Sequence, residues 1–322
     1  MTYDMIIAAA ARLKGNARVT PMLTSPFLDD IAGRRVLVKA ECLQHTGSFK
    51  FRGGWSAVSA LSDKALKTGV IAFSSGNHAQ GVALAAKMHG APAVIVMPSN
   101  APQIKIDNTR GLGAEVVLYD RATEDREAIG ERLSSARGLT LIKPYDEPQV
   151  IAGQGTTGLE IAAQAAELGV TRADVMVCCG GGGLTSGIAL ALEQDAPDMR
   201  VRPAEPFGFD DVTRSLASGR IEHNDALDGS ICDAIITPAP GNLTFPIMQR
   251  LCGGGVVVTD QDCLRAMALA FERLKVVVEP GGAAALAAAL FYPDEFDGDA
   301  VVAVTTGGNV DAPMFKRALE AQ

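Results

Sequence analysis

Short, largely apolar runs alternate with longer segments of helical spacing along most of the chain. Val70-Ile71-Ala72-Phe73, Ala93-Val94-Ile95-Val96-Met97, Glu115-Val116-Val117-Leu118 and Thr140-Leu141-Ile142 read as strands, with helices expected over Ala79 to His89, Gln103 to Gly111 and Glu124 to Arg137. A second series follows: a helix over Gly158 to Leu168, a strand over Asp174 to Cys179, a glycine run opening a helix, and a short strand at Arg200-Val201-Arg202. It continues with a strand at Val256-Val257-Val258, helices over Asp260 to Leu274 and Gly282 to Phe291, and a strand over Ala300 to Val304. Strands that are apolar throughout, rather than at alternate positions, are those buried on both faces of a parallel sheet. The expected class is therefore α/β with two lobes, each a mostly parallel sheet flanked by helices. The smaller lobe, residues 69–146, is expected to be inserted between the two parts of the larger, residues 1–68 and 147–322. A cleft between two such lobes is a usual place for a ligand.

Composition narrows the function. Of 322 residues 48% are hydrophobic but only 5% aromatic, so the core rests on small side chains and close helix–sheet packing. A formal charge of −8 argues against nucleic acid or an anionic membrane as partner. Met5 to Ala11 reads as a turn of helix rather than a signal core, and Ala283 to Leu290 as a buried helix; no run is long enough to span a bilayer. None of the six cysteines forms a Cys-x-x-Cys pair, which leaves no zinc or disulfide framework and makes a reducing cytoplasm the simplest compartment.

Chemistry concentrates at loops that follow strands. Lys50, in the run Gln44-His45-Thr46-Gly47-Ser48-Phe49-Lys50-Phe51-Arg52-Gly53-Gly54, follows the strand-like Arg35 to Ala40. A lysine held among small residues and rings loses solvent, which lowers its pKa and frees the amine to attack a carbonyl. Gly180-Gly181-Gly182-Gly183-Leu184-Thr185-Ser186-Gly187 follows a strand and opens a helix, the arrangement that cradles a phosphate. The same residues approximate a dinucleotide fingerprint, Gly180-x-Gly182 with Gly187, for which Glu205 would hold a ribose hydroxyl in a nicotinamide-dependent oxidoreductase. Nothing in that alternative accounts for the Lys50 run. Two further loops, Ser74-Ser75-Gly76-Asn77-His78 and Thr305-Thr306-Gly307-Gly308-Asn309, also follow strands and offer hydroxyls, amides and helix N–H groups.

With these four loops in view, the chain resembles the fold-type-II pyridoxal-phosphate enzymes of the serine/threonine dehydratase and serine racemase family, from about Thr20 to about Asn309. The run Ser48-Phe49-Lys50-Phe51-Arg52-Gly53 is specific for this branch. The resemblance implies pyridoxal 5'-phosphate as cofactor, with Lys50 as its Schiff-base lysine and Phe49 beside it. It implies further that Asn77 contacts the ring hydroxyl, that Gly180, Gly181, Gly182, Gly183 and Leu184 hold the phosphate, and that Thr306 faces the pyridine nitrogen. A neutral hydroxyl there makes the ring a weaker electron sink than a carboxylate would, which favours prompt loss of a β-hydroxyl.

By the same resemblance, Ser74, Ser75, Gly76 and His78 belong to the substrate loop and Arg126 can reach a substrate carboxylate. Ser75 would face the substrate carbon opposite Lys50, the second catalytic position in the racemases. Glu205, Phe209 and Asp211 match the family's divalent-cation loop, whose oxygen ligands suit Mg²⁺, Mn²⁺ or Ca²⁺. Phe209 departs from the small residue common there. A cytoplasmic homodimer is implied, removing water and ammonia from L-serine, L-threonine or 3-hydroxyaspartate, or else racemising an amino acid. 3-Hydroxyaspartate needs a cation for its second carboxylate, and His45 is a candidate.

Overall fold

A computed structural model describes residues 1–321 apart from Ser75, Pro102, Arg121, Ala122 and Leu227. Ten strands are present among the described residues: β1 (Met22–Thr24), β2 (Arg35–Lys39), β3 (Val70–Phe73), β4 (Ala93–Pro98), β5 (Glu115–Tyr119), β6 (Thr140–Leu141), β7 (Ala173–Cys178), β8 (Met199–Pro206), β9 (Val256–Val258) and β10 (Ala300–Val304). They form a six-stranded sheet in the order β1-β2-β10-β7-β8-β9 and a four-stranded sheet in the order β5-β4-β3-β6. Every pairing of these strands is parallel except that of β1 with β2.

The apolar runs are explained by their places. In β10 all five residues are buried, with Val301 beside Val36 of β2 and Asp174 of β7. β5 differs from the expectation of burial on both faces: Glu115 and Leu118 are exposed and Val116 and Val117 half-buried, because β5 is an edge strand. The helix expected from Gly158 begins ten residues earlier and spans Pro148–Glu167. The helix expected over Asp260 to Leu274 is α-helical only to Leu269, continues as a π-helical turn over Ala270–Leu274, and ends on Lys275 at φ +61°. Helix Pro280–Phe291 is buried on all sides down to Leu290, which its run of alanines permits, since small side chains let it lie close to β7, β8 and β10 at once.

Parallel strands end on the same side, and the loops leaving those ends meet. Cys178 leads into the glycine run, Val304 into Thr305-Thr306, and Phe73 into the Ser74–His78 loop. The link from β2 passes through two short 3₁₀ turns to the helix Lys50–Ser59. Thr46 in the second turn holds φ +58°, a costly conformation for a β-branched residue. Asn309 Nδ2 fixes it by donating to the Thr46 carbonyl at 2.8 Å.

Candidate active site

Lys50 is the first residue of helix Lys50–Ser59, and the chain before it is stitched to the Thr306 loop. The Phe49 N–H donates to the Thr306 carbonyl at 3.1 Å, and Ser48 pairs with Gly307 as an isolated antiparallel bridge. The Lys50 amine donates to the Pro144 carbonyl at 2.9 Å and lies 5.0 Å from the centre of the Phe49 ring. Burial alone pushes its pKa down to about 8, so near neutrality a useful fraction of the amine carries a free electron pair.

The cavity around this amine has a volume of about 160 Å³ and is lined by all the converging loops. Gly180, Gly181, Gly182, Gly183 and Leu184 form one wall, and Phe49, Ser74, Gly76, Asn77, His78, Arg126 and Thr306 also reach it. Gly182 stands at φ +87° immediately before helix Gly183–Asp195, where a side chain would be strained. Peptide N–H groups of that first helical turn have no intrahelical acceptor and suit an anion. Thr306 is 4% exposed and sits against the Cys178 thiol. Arg126 lies over the Phe73 ring, 5.5 Å from its centre. The Ser74 hydroxyl accepts from the Gly76 N–H at 3.1 Å, shaping the loop before helix Asn77–Met88. Ser75 lies outside the described residues.

His78 is buried, and its Nε2 lies 3.0 Å from the Ile142 carbonyl. Burial, reinforced by Lys50, drives its pKa down to about 3, so the ring is neutral. The Nε2 proton then goes to Ile142 and leaves Nδ1 as an acceptor. His45 is not part of the cleft. Its ring meets Phe51 edge-on at 5.0 Å, so the expectation that it supplies a cation for a second carboxylate is corrected.

Several cleft residues had no signal in the sequence. Glu279 precedes helix Pro280–Phe291 and accepts from Asn77 Nδ2 at 2.6 Å, while Asn77 Oδ1 accepts from Asn309 Nδ2 at 2.7 Å. The Asn77 amide is thereby held at both ends. Burial raises the Glu279 carboxyl to about 7. An unfolded chain releases this proton near pH 4.5, whereas the folded chain keeps it to about pH 7. The folded state therefore binds the extra proton between those values, and stability falls as pH rises through that window, by up to about 3 kcal/mol. Glu279→Gln is expected to flatten this part of the profile in chemical denaturation at pH 5 and pH 8; an unchanged slope would show that other groups carry it. Tyr145, Gln154, Lys105 and Asp233 also line the cleft, the last two joined by an ion pair at 3.4 Å.

The proposed cation loop has a different character. The Glu205 carboxylate is fully buried and accepts from Val212 N–H, Thr213 N–H and Thr213 Oγ1 at 2.6–2.9 Å, which also leaves it no role at a ribose. Asp211 Oδ1 accepts from Asn224, and its Oδ2 is buried without a hydrogen-bond partner among the described residues. Burial first, and the charge of Asp211 second, raises Glu205 to about 8; burial raises Asp211 to about 7. Among the described residues no three His, Cys, Asp or Glu side chains gather as a metal site.

The cleft fits a phosphorylated aromatic aldehyde. Among the described residues nine buried side-chain nitrogen or oxygen atoms make no hydrogen bond, and five of them line this cavity: His78 Nδ1, both amide atoms of Gln154, and the Thr185 and Thr237 hydroxyls. Polar atoms are rarely left so, and their concentration at one place points to a polar ligand.

Comparison with known proteins agrees. The family model described as pyridoxal-phosphate dependent enzyme matches residues 13–307. An L-threo-3-hydroxyaspartate ammonia-lyase of Pseudomonas sp is 44% identical over 319 residues, covering 99% of this chain and 98% of that protein. A serine racemase of Schizosaccharomyces pombe is 40% identical, covering 98% of this chain and 96% of the relative. Among solved structures, the T.th. threonine deaminase superposes with a TM-score of 0.91 at 42% identity, covering 97% of this chain and 99% of that one.

Proposed function

Because this chain belongs to the family of pyridoxal-phosphate-dependent enzymes, we propose that it removes water from a 3-hydroxy amino acid, with L-threo-3-hydroxyaspartate as the substrate best supported, giving a 2-oxo acid and ammonia. The observation that carries this reading is the half-buried Lys50, its pKa lowered by desolvation, facing the glycine cradle and Thr306 across one cavity. The name of the Pseudomonas relative supports the choice of substrate.

Lys50, Phe49, Asn77, Gly180, Gly181, Gly182, Gly183, Leu184 and Thr306 would hold the cofactor, which when bound withdraws electrons from the bonds at Cα. The chain's own groups do the rest. The Lys50 amine takes the Cα proton, and the β-hydroxyl departs with a proton as water. The unsaturated amine that is released hydrolyses to the 2-oxo acid and ammonia. Ser74, Gly76 and the N-terminus of helix Asn77–Met88 offer donors for the α-carboxylate, and neutral His78 offers an acceptor. Arg126, which lines the cleft and stacks on a ring, is the cation we assign to a second carboxylate. We keep residues 69–146 as the small lobe, residues 1–68 with 147–322 as the large lobe, and a cytoplasmic homodimer as the working form. Among the described residues no helix is long and apolar enough to cross a membrane.

A 2-oxo-acid assay over L-serine, L-threonine and the stereoisomers of 3-hydroxyaspartate tests the reaction; absence of 2-oxo acid from all of them would sink it. The serine racemase likeness favours a second activity, formation of the mirror-image amino acid, for which we assign Ser75 as the second catalytic residue. Chiral analysis of the unconsumed substrate separates the two. For a divalent cation, the support is Asp211 Oδ2, which among the described residues has no hydrogen-bond partner and whose charge is felt by Glu205. A chelator is expected to lower the melting temperature of the wild type and to leave Asp211→Asn unmoved; equal melting with and without chelator would remove the cation from the account.

A further inference from the structure

We propose that Gln154 is a ligand of the cofactor's phosphate, adding a side-chain donor to the cradle beside Gly183 of the glycine run; this rests on the cofactor reading above. Gln154 belongs to helix Pro148–Glu167 and is 0% exposed. Neither its amide oxygen nor its amide nitrogen makes a hydrogen bond among the described residues. An amide buried in that way destabilises the fold unless a ligand answers it.

Its location identifies the ligand. A methyl group built on Gly183 would lie 2.7 Å from Gln154 Oε1, so the amide runs alongside the residue that opens helix Gly183–Asp195. The Thr185 hydroxyl, with the Cys179 thiol beside it, lies in the same first turn. Neither end of the amide is committed, so it can turn and present its NH₂ group to an oxyanion. The cations that line the cleft are engaged elsewhere: Lys105 with Asp233, Arg126 over Phe73, and Lys50 at the Pro144 carbonyl. A phosphate in this cradle is therefore met by neutral donors, peptide N–H groups with the Gln154 amide and the Thr185 hydroxyl, and the loss of one donor is felt.

The test uses the full chain, reconstituted with pyridoxal phosphate or with pyridoxal, the same aldehyde without phosphate. Dissociation constants come from the visible absorbance, and melting temperatures are taken with and without cofactor. Gln154→Leu should weaken pyridoxal phosphate about 10- to 100-fold, the effect of one hydrogen bond to a charged group, and leave pyridoxal unchanged. Gln154→Glu, which sets a negative charge against the phosphate, should weaken it further. Without cofactor, Gln154→Leu should melt no lower than wild type, because it removes an unanswered polar group; with cofactor it should melt lower. Gln154→Met serves if the leucine variant does not fold. Unaltered affinity for pyridoxal phosphate, or equal loss of both aldehydes, overturns the inference and leaves the cofactor reading standing. Wild-type protein that takes up neither aldehyde overturns both.

Discussion

Lys50→Ala is expected to lose both the visible band of the bound cofactor and turnover, the latter by at least about 10³-fold, because one amine serves as covalent anchor and as base for the Cα proton. The protein itself should remain folded. Among the described residues the Lys50 amine makes a single hydrogen bond, to a carbonyl, and burial disfavours its charge. Removing the amine therefore relieves a desolvation cost instead of orphaning a charged partner. Lys50→Arg should be as inactive, since a guanidinium keeps its proton and forms no Schiff base at neutral pH. The decisive measurement pairs the absorbance spectrum with the 2-oxo-acid assay. A Lys50→Ala protein that stayed yellow and active would place the chemistry on another residue. A second outcome concerns pH. Reaction of the wild-type amine with pyridoxal phosphate should speed up with rising pH and level off above about 8, well below an ordinary lysine.

Arg52→Met is expected to carry the largest stability cost, about 3–5 kcal/mol, though Arg52 touches no part of the cleft. Its guanidinium is 1% exposed and bidentate to two carboxylates. It reaches Glu41 at 2.7 and 2.8 Å and Glu160 at 2.7 and 2.8 Å. Lys39, wholly buried, adds a second cation to Glu160 at 2.6 Å. The cluster is neutral as two cations and two anions. Burial opposes the Glu41 charge, but Arg52 outweighs it and holds the carboxyl below its usual range. Removing Arg52 leaves two carboxylates facing one lysine in the interior. Arg52→Lys cannot repair this, since an ammonium lacks the planar fork that meets both acids. Arg52→Met combined with Glu41→Gln should recover part of the loss, because it removes the stranded charge too. Denaturant unfolding of the single and double variants tests the account, and additive losses would contradict it. Because Arg52 stands in the first turns of the helix that Lys50 opens, the same cluster fixes where that amine points.

The contrast between these two residues shows what a chain discloses of itself. Lys50 is legible because its chemistry has a local signature: a lysine among glycines and rings, after a strand, with other such loops to match. The strands are legible for a similar reason. Val301-Val302-Ala303-Val304 lies between β2 and β7 and must be apolar on both faces, and a run of that kind survives in the sequence as a run. The first half of helix Pro148–Glu167 is not legible. Gly153 and Gly155 disfavour a helix on propensity, yet a methyl group at Gly153 would come within 2.3 Å of the Arg52 carbonyl oxygen. Those glycines are present to let helices cross closely, a requirement of packing that overrides propensity.

The sequence by itself determined the class of fold, the order of most strands and helices, the cofactor, and the lysine that carries the chemistry. Each of these depends on neighbours along the chain: hydrophobic period, loop chemistry after a strand, a motif of a few residues. The tertiary structure alone decided which charges meet. It placed Glu279 against Asn77 from 202 positions away, Glu160 against Arg52 from 108 positions away, and the Gln154 amide beside Gly183. It also took His45 out of the cleft by packing it on Phe51. An acid or an amide has the same chemistry wherever it stands in a chain; burial and the identity of its partner set its charge and its task, and both are created only when distant segments pack together.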